Sequence, residues 1–122
     1  MRELIDDIFA RHLSTPSLDV TLDAAPIRLA PGLETVITTD AFTVQPLEFP
    51  GGDIGKLAVC GTVNDLAVAG ARPQYLSSSF ILEEGFSMAE LEEIVRTMAD
   101  EAKAAGVQIV TGDTKVVNRG KC

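Results

Sequence analysis

The sequence has few of the residues that build metal-rich or secreted proteins, with only two cysteines and one histidine in 122 residues. Cys60 and Cys122 lie far apart and form no Cys-x-x-Cys motif, which argues against a disulfide framework and a zinc site. No run of about 18 apolar residues occurs, so we expect no membrane-spanning segment. The acidic N-terminal residues do not resemble a secretory signal, and we therefore expect a cytoplasmic protein.

Basic residues are also scarce. The chain has 10 Lys and Arg against 18 Asp and Glu, a formal charge of −8. Because affinity for nucleic acid comes from Lys and Arg spread over one face, this balance argues against a nucleic-acid partner. Apolar residues make up 46% of the chain, enough for the core of one domain over residues 1–122, and no internal repeat or linker divides it.

The first part of the chain predicts a helix followed by two strands. Apolar residues recur at helical spacing over residues 2–13, which indicates an amphipathic helix. Residues 20–30 and 35–44 are rich in apolar and β-branched side chains and are separated by the turn dipeptide Pro31-Gly32. We expect these two segments to form a hairpin or neighbouring strands.

The middle of the chain predicts a buried helix. Asp53 can cap a helix over residues 54–69 that ends at Gly70. This helix is apolar nearly all round, so we expect it to be buried, with Cys60 in the core and Gly61 allowing close packing.

The last part predicts a strand, a helix and a second β segment. Residues 75–83 alternate as a strand does, and Ser87-Met88-Ala89-Glu90 is a capping box that begins a helix ending at Gly106. Residues 107–117 read as a β segment interrupted at Gly112-Asp113-Thr114. Strands that alternate with long helices predict a single α/β or α+β domain.

Four carboxylates are candidates for chemistry: Asp23, Asp40, Asp65 and Asp113. Asp40 and Asp113 follow apolar runs, where strand ends open into loops and ligands collect, although Asp is also a common turn former. Asp65 interrupts the helix expected to be buried, so it needs a hydrogen-bond donor or a cation. Converging carboxylates would suit Mg²⁺ and its phosphate ligands, which favours an acidic nucleotide enzyme, and a structural network is the alternative.

Lys115 alternates onto the same strand face as Asp113, where it could contact a phosphate, accept a proton if buried, or be a surface lysine. The Gly51–Lys56 stretch is not a phosphate-binding P-loop, because Pro50 and Leu57 stand where the motif needs Gly and Ser or Thr. His12 has no partner in view, and we expect a solvated or packing role for it.

Four motifs occur in order along nearly the whole chain: Thr38-Thr39-Asp40, Phe49-Pro50-Gly51-Gly52-Asp53-Ile54-Gly55-Lys56-Leu57-Ala58, Gly61-Thr62-Val63-Asn64-Asp65-Leu66-Ala67 and Thr111-Gly112-Asp113-Thr114-Lys115-Val116. In this combination the sequence resembles the N-terminal domain of the HypE family of hydrogenase maturation factors, within the aminoimidazole ribonucleotide synthetase-like superfamily. The resemblance implies a mixed β-sheet flanked by helices, whose strands pair into a β-barrel across a homodimer.

The resemblance also implies an activity. Members of this family are ATP-dependent carbamoyl dehydratases, which convert the thiocarboxamide of their own C-terminal cysteine into a thiocyanate, the precursor of the cyanide ligands of [NiFe]-hydrogenase. It implies a carbamoyltransferase and hydrogenase cofactor-assembly scaffold proteins as partners. Carried over by position, Lys115 would be catalytic, and ATP and Mg²⁺ would be bound by two overlapping sets: Asp40, Asn64, Asp65, Asp113 and Thr114 for ATP, and Asp23, Asp40, Asp65 and Asp113 for the metal.

The family's substrate cysteine closes a second domain in a Pro-Arg-x-Cys tail, which this sequence lacks. We therefore expect the chain to be an N-terminal half, inactive alone, with Cys122 an ordinary residue. Two alternatives remain: another ATP-dependent enzyme of the superfamily (aminoimidazole ribonucleotide synthetase, selenophosphate synthetase or thiamine-monophosphate kinase type), and a non-catalytic dimerisation module.

Overall fold

The computed structural model describes residues 2–22 and 24–121. The elements, in chain order, are α1 (Arg2–Leu4), a π-helical segment (Ile5–Ala10), α2 (Arg11–Leu13), β1 (Glu48–Phe49), β2 (Gly52–Asp53), α3 (Ile54–Val68), β3 (Tyr75–Glu83), α4 (Met88–Ala105) and β4 (Gln108–Val117). Within the described ranges, no helix is long and apolar enough to cross a membrane.

The predicted N-terminal helix is confirmed over residues 2–13, although its middle turns are π-helical. Its apolar side chains Ile8, Phe9 and Leu13 are buried, and the Phe9 ring meets the Phe80 ring of β3 edge-on at a centroid distance of 4.8 Å. This edge-to-face contact is a favoured arrangement for aromatic rings. The segment is thus part of the core.

The strand β3, the helix α4 and the strand β4 form a β-α-β unit with a parallel strand pair. The predicted strand 75–83 is confirmed, and the expected interruption of β4 at residues 112–114 is wrong, because Gly112 pairs with Ser78 and the ladder continues to Val117. An added Cβ at Gly112 would overlap the Ser78 carbonyl oxygen. Glycine therefore allows the strands to approach here instead of breaking the ladder.

Helix α4 carries the apolar stripe on which the core is built. The Ser87 side chain accepts a hydrogen bond from the Glu90 amide at 3.3 Å, and Gly106 ends the helix at a φ of 71°. Both ends confirm the sequence prediction. The core around this stripe comprises Ile8, Phe9, Leu13, Val59, Leu82, Leu91, Val95, Met98, Ala102, Val107 and Ile109.

Helix α3 begins and ends as predicted but is not buried. The Asp53 side chain accepts from the Lys56 amide at 2.9 Å, and Gly70 follows the last turn with a φ of 77°. Only Gly55, Val59 and Leu66 are buried, whereas Val68 is 88% exposed. The helix packs mainly on α4, and its last turns are exposed at Asn64, Asp65, Ala67 and Val68.

The expected strands over residues 20–30 and 35–44 are wrong for this single chain. The turn at Pro31-Gly32 is present, but no described residue between 24 and 47 lies in a helix or strand. A β-branched sequence favours extended backbone, but a strand forms only when another strand supplies hydrogen bonds. The large apolar side chains left exposed here are Ile27, Leu29, Leu33, Val36 and Ile37.

We predict that Leu91→Ala lowers the free energy of unfolding by about 2–5 kcal/mol, because Leu91 is 1% exposed and its loss leaves a cavity under α4. Lys103→Ala, an exposed position of the same helix, should change it by about 0.5 kcal/mol or less. Urea denaturation followed by circular dichroism measures both values, and equal effects of the two substitutions would contradict the assigned core.

Candidate functional site

Asp113 and Lys115 lie together on one face of β4. The Lys115 Nζ atom donates to both Asp113 carboxylate oxygens at 2.5 Å, and the two side chains are 67% and 58% exposed, respectively. The predicted shared face is confirmed. This hydrogen bond from Lys115 lowers the pKa of the Asp113 carboxyl, to which the Thr114 amide also donates at 2.9 Å. Asp113 is therefore ionised at neutral pH.

The sequence predicted that Asp40 and Asp113 lie just beyond the ends of strands, and this prediction is wrong for both. Asp113 is inside β4, opposite Ser79, and Asp40 belongs to the stretch without strands. The Asp40 carboxylate accepts a hydrogen bond from the Ala41 amide at 2.8 Å, the local bonding typical of turn-forming Asp. Both carboxylates are exposed to solvent.

Asn64 and Asp65 are exposed on α3, so the inference that Asp65 needs a partner because it is buried is wrong. The error follows from the helix pattern, because an apolar surface that faces outward in this chain has the same sequence signature as a buried one. Because Asp65 lies outside the core, its carboxylate is in contact with water and needs no buried partner.

The described candidate carboxylates, Asp40, Asp65 and Asp113, are not part of any group of side chains that could hold a metal ion. Asp23 lies outside the described residues. Among the residues that the structure describes, no group of three or more His, Cys, Asp or Glu side chains could hold a metal ion. Carboxylate oxygens are the ligands that Mg²⁺ prefers, so the residue types suit this ion. The described residues are not close enough together to form its site.

The glycine-rich motif before α3 is packed against α4. Asp53 is 6% exposed and caps the helix, while an added Cβ at Gly55 would overlap the Ile94 carbonyl oxygen. The hairpin of β1 and β2 turns at Pro50-Gly51, where Gly51 has a φ of 104°. Here the glycines permit close packing and a tight turn.

The structure reveals two polar contacts that the sequence did not indicate. His12 has a partner after all, because its Nε2 atom lies 3.0 Å from Glu92 Oε1, and this contact lowers the pKa of Glu92. Cys60 is half-buried instead of in the core, and its thiol donates to Glu101 Oε1 at 3.4 Å. Burial, more than this hydrogen bond, raises the pKa of the Cys60 thiol. Each contact joins residues more than 40 positions apart in the sequence, so local sequence patterns could not have predicted it.

Comparison with known proteins confirms the resemblance. Residues 21–122 match the family described as AIR synthase related protein, N-terminal domain. The carbamoyl dehydratase HypE of Rhodobacter capsulatus is 58% identical over 123 residues, which cover 100% of this chain and 36% of that protein. The chain therefore spans about a third of the length of this relative.

Solved structures share the fold. A crystal structure of the hydrogenase maturation protein HypE in complex with ATP matches at a TM-score of 0.90 and 54% identity, covering 99% of this chain and 36% of the other. A crystal structure of a HypE–HypF complex matches at a TM-score of 0.68 and 50% identity, covering 97% of this chain and 37% of the other. The mixed α/β architecture expected from the sequence is confirmed.

We predict that the Asp113 carboxyl titrates below its usual pKa of 3.8, and that Lys115→Met raises its pKa toward that value because the hydrogen bond is lost. Carboxyl carbon chemical shifts followed against pH by NMR measure this. Lys121→Met, which removes an exposed lysine elsewhere, is the control. An Asp113 titration that Lys115→Met leaves unchanged would show that the ion pair does not form in solution.

Proposed function

The chain belongs to the AIR synthase related protein family, and we propose that it is the ATP-binding N-terminal part of a carbamoyl dehydratase that acts in hydrogenase maturation. The observation that carries the proposal is its 54% identity, over 99% of its length, to a HypE crystallised with ATP. The reaction would convert the thiocarboxamide of a C-terminal cysteine, carried by the second domain, into a thiocyanate that supplies hydrogenase cyanide. This part alone would be inactive.

The chemistry explains why such a reaction needs ATP. A carboxamide oxygen is a poor leaving group, but after phosphoryl transfer it can leave as phosphate. The amide nitrogen gives up its two protons as the carbon–nitrogen triple bond forms, so the products are thiocyanate, ADP, phosphate and a proton. The protein must therefore bind phosphates, balance their charge and receive protons near the amide.

We propose that Mg²⁺, held by carboxylates of this chain, balances the negative charge of the ATP phosphates. Asp40, Asp65 and Asp113 would bind the metal, with Asp23 as a further ligand, while Asn64 and Thr114 would contact ATP. Three observations support the availability of the carboxylates: the described ones are exposed, Asp113 is ionised at neutral pH, and oxygen donors are those that Mg²⁺ prefers. Because no three of the described side chains are grouped to hold a metal ion, the proposal requires association to complete the site.

Lys115 would accept a proton from the amide nitrogen. In this structure its ammonium group is exposed and paired with Asp113, so it is in no position to act as a base. If Asp113 turned toward Mg²⁺, Lys115 would lose this partner and could approach the substrate. The pair would thereby couple metal binding to the readiness of the base.

We propose that the chain associates with a second copy, which covers apolar surfaces that the single chain leaves exposed. The extended stretch over residues 24–47 exposes a series of apolar side chains, and among the described strands β3 and β4 pair with each other alone. A two-stranded sheet beside exposed apolar residues favours association with another strand-rich surface. A barrel built across a homodimer, as expected from the family, would satisfy both.

Two further expectations complete the proposal. A carbamoyltransferase would deliver the carbamoyl group, and the similarity to a HypE that forms a complex with HypF supports such a contact. Hydrogenase cofactor-assembly scaffold proteins would receive the product. All these steps would take place in the cytoplasm.

We predict that Asp113→Asn in the full-length protein weakens Mg²⁺-dependent ATP binding by about tenfold or more, since it removes a charged ligand. Lys115→Ala should leave binding intact and stop thiocyanate formation. Calorimetry with and without Mg²⁺ measures binding, and mass spectrometry of the C-terminal peptide follows the loss of water.

The matched control is Asp100→Asn, which removes an exposed carboxylate of α4 that pairs with Arg96. It should leave both binding and dehydration unchanged. Unchanged Mg²⁺-ATP binding in Asp113→Asn would refute the metal assignment, and a wild-type dimer that binds no ATP would favour the dimerisation module.

A further inference from the structure

The Phe42 ring lies directly against Gly61 in the middle of α3. A Cβ built at Gly61 would be 2.5 Å from Cε1 and 2.6 Å from Cζ of this ring, closer than real Cβ atoms approach. Glycine is unfavourable inside a helix compared with alanine, because it has more backbone freedom to lose. Its presence here has a packing reason, which is to admit the ring.

Phe42 packs a stretch of chain that forms no helix or strand against α3. It is half-buried, whereas its neighbours Ala41 and Thr43 are exposed. Further up the same stretch, the Tyr75 hydroxyl donates to the Arg28 carbonyl at 3.0 Å. Since the residues between 24 and 47 form no strand, contacts of this kind hold the stretch against the folded body.

The contact between Phe42 and Gly61 joins the two segments that carry the proposed metal ligands Asp40 and Asp65. Asp40 precedes Phe42 by two residues, so the two Cα atoms lie within about 7 Å of each other. Asp65 follows Gly61 by four residues, on the same helix face and about 6 Å further along the axis. The ring therefore docks the segment that carries Asp40 onto the helix face that carries Asp65.

We propose that Gly61 and Phe42 are a positioning pair, whose contact sets the place of Asp40 relative to Asp65 and thereby the geometry of the Mg²⁺-ATP site. This inference rests on the proposed function. We assign neither residue a contact with the nucleotide, because both act by positioning the two carboxylates. Mg²⁺ requires nearly ideal octahedral geometry, so a displaced carboxylate would bind it more weakly.

The direct test is Gly61→Ala in the full-length protein, because the added methyl group pushes the ring away. We expect the Mg²⁺ concentration needed for half-maximal ATP turnover to rise by about tenfold or more, with kcat changing less. Gly61→Ala combined with Phe42→Leu makes room for the methyl group and should recover much of the loss. The Mg²⁺ requirement is a quantity that a merely structural defect does not change.

Ala104→Gly is the matched control, since it destabilises an exposed turn of α4 without touching the pair. It should lower Tm and leave the Mg²⁺ requirement at the wild-type value. If Gly61→Ala does not fold, Phe42→Ala removes the same contact without a clash and should raise the Mg²⁺ requirement likewise.

The outcomes separate this inference from the function on which it rests. Wild-type protein that shows no Mg²⁺-dependent ATP turnover would overturn the proposed function and this inference with it. Wild-type turnover together with a normal Mg²⁺ requirement in folded Gly61→Ala, or in Phe42→Ala, would overturn the positioning pair alone. A double variant no better than Gly61→Ala would also contradict it.

Discussion

The packing of α4 against the strand pair and α3 is the interaction on which the rest of this structure depends. Leu91 and Val95 are almost completely buried, and the N-terminal helical segment adds Phe9 and Leu13 to the same core. Because the apolar stripe of α4 faces three partners at once, its burial orients β4, the glycine-rich motif and α3 together. The candidate site residues on β4 and α3 are carried by elements that this core holds in place.

The proposed metal ligands lie outside this core. Asp65 and Asp113 lie on exposed surfaces of α3 and β4, and Asp40 lies on the stretch between the turn at Pro31-Gly32 and the hairpin. Exposed apolar side chains such as Ile37 belong to the same stretch as Asp40. Exposed apolar residues are typical of surfaces that associate, so they support the proposal that association completes the site.

Much of the fold was predictable because its signals are local. The Ser87 cap, the Gly106 stop and the stripe of α4 depend on residues three or four apart, and the alternation of β3 needs no knowledge of its partner. The strands expected before residue 47 were wrong for the opposite reason, since a strand needs a neighbour that sequence spacing does not identify. The burial of α3 was overestimated because the pattern shows that a surface is apolar but not what covers it.

The candidate site likewise has features that local sequence patterns predict and features that they do not. The shared face of Asp113 and Lys115 follows from strand alternation and was predictable, whereas the contact between His12 and Glu92 joins distant positions and was not. The place of Asp40 relative to Asp65 depends on Phe42 and Gly61, which touch across 19 positions, and only the spatial arrangement reveals it.

We propose that the stretch over residues 24–47 is covered when the protein associates, and that this association completes the ATP site. The decisive measurement is amide hydrogen exchange of this stretch in the full-length protein over a range of protein concentrations. We expect fast exchange in dilute protein and strong protection once the dimer forms, since the backbone then gains strand partners. Equally fast exchange at all concentrations, in protein that still turns over ATP, would contradict it.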